Sequence, residues 1–380
     1  MSKFDEIRPF YDNEVNDALL NVARHPMMKA LMSFTFPDRA EDFWIDQFPN
    51  VHSIKDFQSQ FISQTVHQIL KRSSEGLTTS GFENLDKNTA YLFISNHRDI
   101  VLDTSLLNLS LLENGLIMTS SAIGDNLVKK PFLHVLAKLN RNFLVQRGVS
   151  IREQLGSSKM LSEYILTLLK EENLSVWMAQ REGRTKDGND TTQQGVLKML
   201  AMSAGDLPLK EFFKSLKIVP LSISYEYDPT DVLKMPQLMA KARNEVYIKD
   251  EKEDFNTMLS GVLGQKKHIH LHAGKVLDVE LDNIETENDN KNKQLQAIAE
   301  IIDNSVLQNY KLWPTNFIAY DLLYDTSRYA EKYTEAEKQL FERRLEMRID
   351  VTDKVLKESF LSMYANPVIN KITHHQKVSI

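Results

Sequence analysis

Short apolar runs alternate with longer segments of helical period between residues 91 and 227. The runs fall at 91–94, 115–119, 142–146, 175–179 and 218–224. Runs of this length, rich in branched and aromatic residues, predict buried strands, and their alternation with helical segments is typical of α/β proteins. We therefore expect an α/β fold in which helices cover a mixed central sheet.

Helical patterns precede and follow this alternating part. They occupy 13–72, with interruptions at prolines, and then 233–241, 255–263, 294–307, 317–329 and 335–363. A strand-like run covers 268–272, and the polar residues 281–293 predict a linker or exposed loop. The residues after 366 lack an apolar period, which is typical of a disordered tail.

These patterns divide the chain into four regions. We predict a helical N-terminal region at 1–75, an α/β core at 76–280, a helical C-terminal region at 294–366 and a tail at 367–380. The strand ends of the core are where catalytic groups are expected, because a rigid scaffold positions them there.

Composition and charge argue against several classes of protein. The 380 residues carry 46 basic and 52 acidic side chains, a net charge of -6, which argues against a nucleic-acid partner held by a uniformly basic surface. The absence of cysteine excludes disulfides, thiolate metal sites and cysteine nucleophiles, and favours a cytoplasmic location. The N-terminus lacks the apolar run of a signal peptide, and no window reaches the roughly 20 apolar residues of a spanning helix. We expect a protein that is soluble or lies on a membrane surface.

A histidine and two carboxylates follow the first strand of the core. Asn96, His97 and Asp99 come after the predicted strand 91–94, and Asp103 lies near the start of the next helical segment. Strand-to-helix junctions commonly aim catalytic side chains into a cleft. His97 is therefore a candidate general base, although a lone histidine at a strand end is more often a structural, hydrogen-bonded group.

Three further blocks follow, and two of them supply groups suited to bind an anion. Arg147 ends a predicted strand, where its guanidinium can meet an anion in the cleft. Glu182, Gly183 and Arg184 follow the next strand, in a loop whose glycines let backbone N–H groups approach a phosphate. Pro220 begins the strand of the fourth block, which we expect to shape the cleft.

Together, the four blocks resemble those of the phospholipid and glycerol acyltransferase superfamily, over roughly residues 80–230. The resemblance implies transfer of a fatty acyl group from a thioester to glycerol-3-phosphate or its 1-acyl derivative, in phospholipid biosynthesis. The family has four residues between the histidine and the aspartate of its first block, whereas five stand between His97 and Asp103. Asp99 is therefore an alternative partner for the imidazole, and we favour Asp103 because an extended first turn can absorb one residue. The third block also departs from the family, with Gln180-Arg181 in place of Phe-Pro.

The resemblance implies roles for the site residues. His97 acts as the general base, and Asp103, or alternatively Asp99, orients it. The residues implied in binding the phosphorylated acceptor are Asn96, Arg147, Glu182, Gly183 and Arg184. The donor is an acyl-carrier protein or coenzyme A thioester, with Lys129, Lys130 and Arg152 as candidate contacts, and no cofactor or metal is implied.

Other interpretations stay open from the sequence. A catalytically silent protein that binds lipid or an acyl carrier would keep the cleft without the chemistry, and a related enzyme could use a different hydroxylated lipid. His268, His270 and His272 alternate along a predicted strand and could hold a metal, although an exposed sheet face is the simpler interpretation. We expect peripheral contact with lipid at the inner face of a membrane.

Overall fold

Seven strands of the described residues form one sheet at the centre of the protein. The computed structural model describes residues 2–148, 150–284 and 290–378. The strands are β1 (Ser74–Ser80), β2 (Leu92–Ser95), β3 (Thr119–Gly124), β4 (Asn142–Val145), β5 (Ser175–Ala179), β6 (Ile218–Tyr225) and β7 (Lys267–Ala273). Their order across the sheet is β1-β7-β6-β2-β5-β3-β4. The strands from β6 to β4 are parallel to one another and β7 is antiparallel to β6, so the prediction of a mixed central sheet is confirmed.

Helices surround the sheet and form both ends of the described chain. Those before β1 are α1 (Asp12–Val22), α2 (Pro26–Thr35), α3 (Trp44–Gln47), α4 (Ile54–Phe57) and α5 (Ser63–Ser73). Those between β2 and β7 are α6 (Leu102–Glu113), α7 (Pro131–Leu139), α8 (Ile151–Lys170), α9 (Gln194–Leu200), α10 (Leu209–Ser215), α11 (Asp231–Ala242) and α12 (Glu253–Leu263). Those after β7 are α13 (Val279–Asp282), α14 (Lys291–Asn309), α15 (Pro314–Tyr324), α16 (Glu335–Arg348) and α17 (Lys354–Val378). The helical N-terminal and C-terminal parts are therefore confirmed, and none of the described helices combines the length and apolar character needed to cross a bilayer.

One strand lies further along the chain than the pattern predicted. We expected it at 115–119, whereas β3 begins at Thr119. The Leu116 N–H donates to the carbonyl of Leu111 at 2.8 Å, and Gly115 has φ +70°, the left-handed conformation that often ends a helix. Leu116, one of the apolar residues that suggested a strand, therefore belongs to the C-terminal cap of α6.

The pattern at 335–363 also differs, because it forms two helices rather than one. α16 ends at Arg348, and α17 begins at Lys354. The Asp353 Oδ1 atom accepts hydrogen bonds from the N–H groups of Val355 and Leu356, at 3.0 and 3.1 Å. A carboxylate in this position caps the start of a new helix, which explains the break.

The predicted tail, 367–380, and the predicted linker, 281–293, each include residues that the structure does not describe. α17 continues to Val378, so the described residues after 366 are helical where we expected a tail. Residues 379–380 of that tail and 285–289 of the predicted loop lie outside the described residues. The proposed division into four regions stays a prediction.

The central strands alternate their side chains between two apolar cores. Leu92 and Ile94 of β2 lie in the core that includes α8, α9 and α14. Phe93 and Trp177 lie in the opposite core, which includes α5 and α6. Parallel strands covered on both faces are apolar along their whole length, which is why they were visible in the sequence. The carboxyl ends of β2 to β6 share one edge of the sheet, the edge at which open α/β sheets bind ligands.

Candidate active site

His97 lies two residues beyond the carboxyl end of β2, where its imidazole contacts the buried carboxylate of Asp103. The His97 Nδ1 and Asp103 Oδ2 atoms are 2.8 Å apart, and the imidazole side chain is only 14% exposed. Asp99 has a different set of contacts, because its Oδ1 accepts the N–H groups of Val101 and Leu102 at 2.9 and 2.8 Å. Of the two carboxylates that the sequence left open, Asp103 is the one that contacts the imidazole, while Asp99 caps α6.

The loop before α6 accommodates the extra residue of the first block. Residues 96–101 are not part of the helix, which begins at Leu102. The rotation that one inserted residue causes in a regular helix therefore does not separate His97 from Asp103. Asp103, in the first turn of α6, reaches back across this loop to the imidazole.

Both carboxylate oxygens of Asp103 are held by hydrogen bonds. Besides the imidazole, Oδ2 accepts the N–H groups of Arg98 and Asp99, at 2.6 and 3.0 Å. Oδ1 accepts the hydroxyl of Tyr225, at 2.8 Å, from the end of β6. Burial and the nearby Asp103 carboxylate raise the pKa of Tyr225 well above its ordinary value, so this hydroxyl keeps its proton and donates. The carboxylate is thereby fixed in the orientation that meets His97.

Asn96, a predicted substrate-binding residue, is fully buried and bonded to β6. Its Oδ1 accepts the N–H of Ile223 and its Nδ2 donates to the carbonyl of the same residue, both at 2.8 Å. Asn96 is absent from the described lining of the cavity at this edge. The structure therefore does not bring its amide to a substrate, and the side chain extends the pairing of β2 with β6.

Arg98 joins the loop that carries His97 to the C-terminal half of the chain. Its guanidinium is buried, lies 2.5 Å from Asp190 and stands over the ring of Tyr310, 5.6 Å from the centroid. The buried ammonium of Lys234 donates to the carbonyl of Arg98 at 3.2 Å and pairs with Asp228. This network holds the loop through Arg98, in addition to the hydrogen bonds that Asp103 makes.

A cavity of about 1170 Å³ opens beside His97 at the carboxyl edge of the sheet. The predicted site residues that line it are His97, Arg147, Glu182, Gly183 and Arg184. Much of the remaining wall is apolar and includes Phe34, Val66, Ile69, Leu109, Leu136 and Leu161. The cavity therefore joins a polar end, which contains the imidazole and cationic groups, to apolar walls formed partly by the N-terminal helices.

The loop after β5 is connected directly to His97. The N–H of Thr185 donates to the His97 carbonyl at 2.9 Å, so the residues on either side of Thr185 lie next to the imidazole loop. Arg184 donates to the hydroxyl of Thr230 at 3.3 Å, and Gly183 has φ +70°, a conformation that favours glycine. Arg147 pairs with Glu182, and because both side chains are exposed this ion pair contributes only about 0–1 kcal/mol.

Lys186 is a cation that the sequence interpretation missed. It lines the cavity two residues after Arg184. Burial, together with the positive charges of Arg184 and Lys234, lowers the pKa of Lys186 to about 7. Neighbouring cations that disfavour one another's charge are suited to receive an anion, which would relieve the repulsion. Lys186 could have been found from the sequence, because it lies two residues after the predicted site residue Arg184. Tyr225 could not, because a tyrosine at the end of a buried strand does not by itself indicate a site residue.

The other basic and histidine candidates lie elsewhere. Lys129, Lys130 and Arg152 are exposed and are absent from the described cavity lining, with Lys130 over the ring of Phe255. The histidines of β7 are engaged with neighbouring polar groups: His268 with Glu226, His270 with Thr78 and Ser80, and His272 with Ser80. Within the described residues, no group of three or more histidines and carboxylates could hold a metal ion.

Tyr225→Phe is expected to lower kcat about 10–100-fold and to leave KM unchanged. The substitution removes one hydrogen bond to a charged carboxylate, and such bonds contribute about 1.5–3 kcal/mol. Asp103 then loses the donor that fixes Oδ1, while the substrate cavity keeps its shape. Steady-state kinetics measure both constants.

Tyr91→Phe is the matched control, because the Tyr91 hydroxyl accepts the N–H of Asp86 and lies outside the described cavity lining. Its kcat should stay within about twofold of the parent chain, since no group of the site loses a partner. An equal fall in both variants, or a Tyr225→Phe effect confined to KM, would show that the hydroxyl does not act through Asp103.

A parallel-strand edge that presents a buried His–Asp pair to a partly apolar cavity is an arrangement suited to base-assisted transfer at an apolar substrate. Comparison with known proteins specifies the class. Residues 76–224 match the family model described as Acyltransferase. This segment therefore resembles an acyltransferase domain, which agrees with the phospholipid and glycerol acyltransferase superfamily that the motifs indicated.

Similarity outside this family model is remote. No curated protein sequence is significantly similar to the chain. Among solved structures, the chain is similar to the 1-acyl-sn-glycerophosphate (LPA) acyltransferase PlsC from Thermotoga maritima, with 11% identity and a TM-score of 0.38. The similarity covers 79% of this chain and 96% of that protein.

Proposed function

We propose that the protein is an O-acyltransferase of phospholipid biosynthesis. It moves a fatty acyl group from a thioester of acyl-carrier protein or coenzyme A to a hydroxyl of glycerol-3-phosphate or 1-acylglycerol-3-phosphate. The observation that carries the proposal is the His97–Asp103 pair at the polar end of an otherwise largely apolar cavity. The acyltransferase family of residues 76–224 supports the same reaction class.

His97 acts as the general base in this proposal. Its Nδ1 is engaged by Asp103, which leaves Nε2 to take the proton of the acceptor hydroxyl as the oxygen attacks the thioester carbonyl. The C–O bond forms, the C–S bond breaks, and the imidazolium returns its proton to the leaving sulfur. Asp103 holds the tautomer and stabilises the imidazolium, as the acid of a catalytic triad does, with the substrate oxygen in place of an enzyme serine.

Arg184 and Lys186 bind the acceptor phosphate in this proposal. Both line the cavity on the loop whose Thr185 N–H is bonded to His97, so a phosphate on them places the glycerol hydroxyl near the imidazole. Arg184 contributes a planar fork of donors, which suits phosphate oxygens. Arg147 and Glu182 form an exposed pair at the same cavity, where Glu182 can hold Arg147 toward the anion.

The apolar walls receive the acyl chain of the donor. A volume of about 1170 Å³ is above the range of about 300–1,000 Å³ usual for small-molecule sites, as a long chain next to a polar head requires. Part of this wall comes from the N-terminal helices, through Phe34, Val66 and Ile69. The N-terminal region therefore belongs to the substrate site in this proposal.

One donor-by-acceptor assay tests the function. The purified chain is mixed with acyl-coenzyme A or acyl-carrier protein and with glycerol-3-phosphate, 1-acylglycerol-3-phosphate or an unphosphorylated hydroxylated lipid, and release of free thiol is followed. Turnover with a phosphorylated acceptor is the expected result. Turnover with the unphosphorylated lipid alone would show that the acceptor is that lipid and not a phosphorylated glycerol. Binding of the acyl donor without turnover on any acceptor would favour the catalytically silent binding protein.

Lys186→Gln is expected to raise KM for glycerol-3-phosphate about 10–100-fold at pH 6.5 and to leave KM for an unphosphorylated acceptor unchanged. The reason is the loss of one charged hydrogen bond to phosphate. With its pKa lowered to about 7, Lys186 carries its charge below that pH and loses it above. In the parent chain, KM for glycerol-3-phosphate should therefore rise between about pH 6.5 and 8, where the phosphate is already mostly dianionic.

Initial rates across this pH range measure the effect, with Lys198→Gln as the control. Lys198 is exposed on α9 and is absent from the described cavity lining. The glutamine side chain of the Lys186→Gln variant has no titrating charge, so the rise of KM with pH should disappear. A Lys186→Gln enzyme with the parent KM and the parent pH profile would contradict a role in phosphate binding.

A further inference from the structure

Large apolar side chains lie exposed around the mouth of the cavity. We call Val246, Ile248, Leu259 and Leu263 the mouth patch. Val246 and Ile248 are 89% and 86% exposed, and Leu259 and Leu263 are 50% and 55% exposed. Leu259 and Leu263 also line the cavity, so apolar side chains of the cavity wall reach the outer surface.

The segment between α11 and α12 holds two of these residues outward. Tyr247 and Lys249 line the cavity, whereas Val246 and Ile248, which alternate with them, point to the exterior. The Tyr247 hydroxyl is bonded to Glu253, and Lys249 pairs with Asp254 at 2.5 Å. These contacts attach the segment to the first turn of α12 and keep the exposed side chains at the rim.

α12 brings the other two residues to the rim because its backbone packs against the catalytic loop. A Cβ atom on Gly261 would lie 2.0 Å from the Asp99 Oδ2 atom, so the helix approaches the loop as closely as a glycine allows. Leu259 and Leu263 are four residues apart and share the opposite, outward stripe of the helix. The helix that carries Leu259 and Leu263 therefore packs against the loop that carries His97.

Single exposed apolar residues are ordinary, but a group that continues an apolar cavity marks an interaction site. The charge of the same stretch restricts the partner. Residues 245–254 contain five acidic and two basic side chains, so an anionic partner would be repelled. A neutral apolar phase has no such cost, and it is also the phase in which acyl chains are dissolved.

We propose that the mouth patch docks the protein on a lipid bilayer, with Val246 and Ile248 inserted among the acyl chains. The proposal rests on the function proposed above, because the cavity must exchange acyl lipids with the bilayer. Leu259 and Leu263 then form a continuous apolar path from the bilayer to the cavity, and the acyl chain need not cross water. Since binding comes from apolar burial, vesicles of zwitterionic phosphatidylcholine suffice and high salt does not release the protein.

Vesicle co-sedimentation of the full chain tests the docking. We expect the Val246→Ser/Ile248→Ser double variant to bind phosphatidylcholine vesicles at least about tenfold more weakly, because two large side chains no longer transfer into lipid. Leu340→Ser is the matched control: Leu340 is 52% exposed on α16, outside the described cavity lining, and its loss should leave binding unchanged.

A second measurement uses the absence of cysteine from the chain. Ile248→Cys and Leu340→Cys each accept a single polarity-sensitive fluorophore. The label at 248 should shift to the blue when vesicles are added, and the label at 340 should not. Equal binding by parent and double variant, no binding by the parent chain, or binding that requires anionic lipid and is lost at high salt would each overturn the proposal.

Separate measurements test the docking proposal and the proposed function, so one can be contradicted without the other. Turnover is measured without vesicles, using a short-chain, water-soluble acyl thioester and glycerol-3-phosphate, where the double variant should keep the parent rate. A chain that docks through the patch but transfers no acyl group would support the docking proposal and contradict the proposed function. A chain that transfers acyl groups but does not bind vesicles would support the proposed function and contradict the docking proposal.

Discussion

His97→Ala should lower the rate of acyl transfer by about 10²–10⁴-fold, the usual contribution of a general base. The cavity and its cations stay in place in the variant, so acceptor and donor still bind, but no group remains to take the hydroxyl proton. KM should therefore change much less than kcat. Release of thiol from the acyl donor, followed with saturating acceptor, measures the effect.

The control for this experiment is His67→Ala. His67 is a half-exposed histidine on α5 that lies 3.5 Å from Glu113 and is absent from the described cavity lining. Its replacement should leave the rate unchanged, and thermal unfolding of both variants checks that the fold is intact. If acyl transfer by the His97→Ala protein matched the parent rate, the assignment of the base would be wrong.

Asp103→Asn should lower kcat by about 10³–10⁴-fold, because an amide cannot replace this carboxylate. Oδ1 accepts the Tyr225 hydroxyl and Oδ2 accepts the imidazole and two backbone N–H groups. An amide turns one of these acceptors into a donor, so either Tyr225 loses its partner or the imidazole is held in the wrong tautomer. Single-turnover rates separate this effect on chemistry from any effect on binding.

Asp99→Asn is the comparison that distinguishes the two carboxylates of the first block. The asparagine keeps an oxygen that can accept the N–H groups of Val101 and Leu102, so the cap of α6 is preserved. We expect kcat within about threefold of the parent chain, since Asp99 does not contact the imidazole. A loss as large as that of Asp103→Asn would show that the orienting carboxylate has been misassigned.

The sequence predicted the strands of the core well where apolar runs were buried on both faces. It failed at 115–119 because the apolar run around Leu116 has the composition of a short strand. Leu116 itself belongs to the cap of a helix. It could not separate one helix from two at 335–363, since the break depends on the capping carboxylate of Asp353. Local pattern thus identified buried segments, and hydrogen bonds at their ends decided the bounds.

The site residues also divide into those that the sequence could identify and those that depend on contacts in the folded chain. His97, Arg147 and Arg184 could be selected because their motifs place them after strands, and all three line the cavity. Asn96 belongs to the same motif, yet its amide is used by β6, a contact that spacing cannot reveal. The choice between Asp99 and Asp103 depended on the shape of a loop outside any regular element, and the catalytic roles themselves stay predictions.

The network around Arg98 has a consequence for how small a working form of this protein can be. The segment that matches the acyltransferase family ends at residue 224, one position before Tyr225, which holds Asp103. Lys234 and Tyr310, which support the Arg98 side of the loop, lie further along the chain. An isolated fragment bounded by the family match would therefore contain every motif residue and still leave the histidine loop without its outer supports, so we expect the loop to be held in place only in a longer chain.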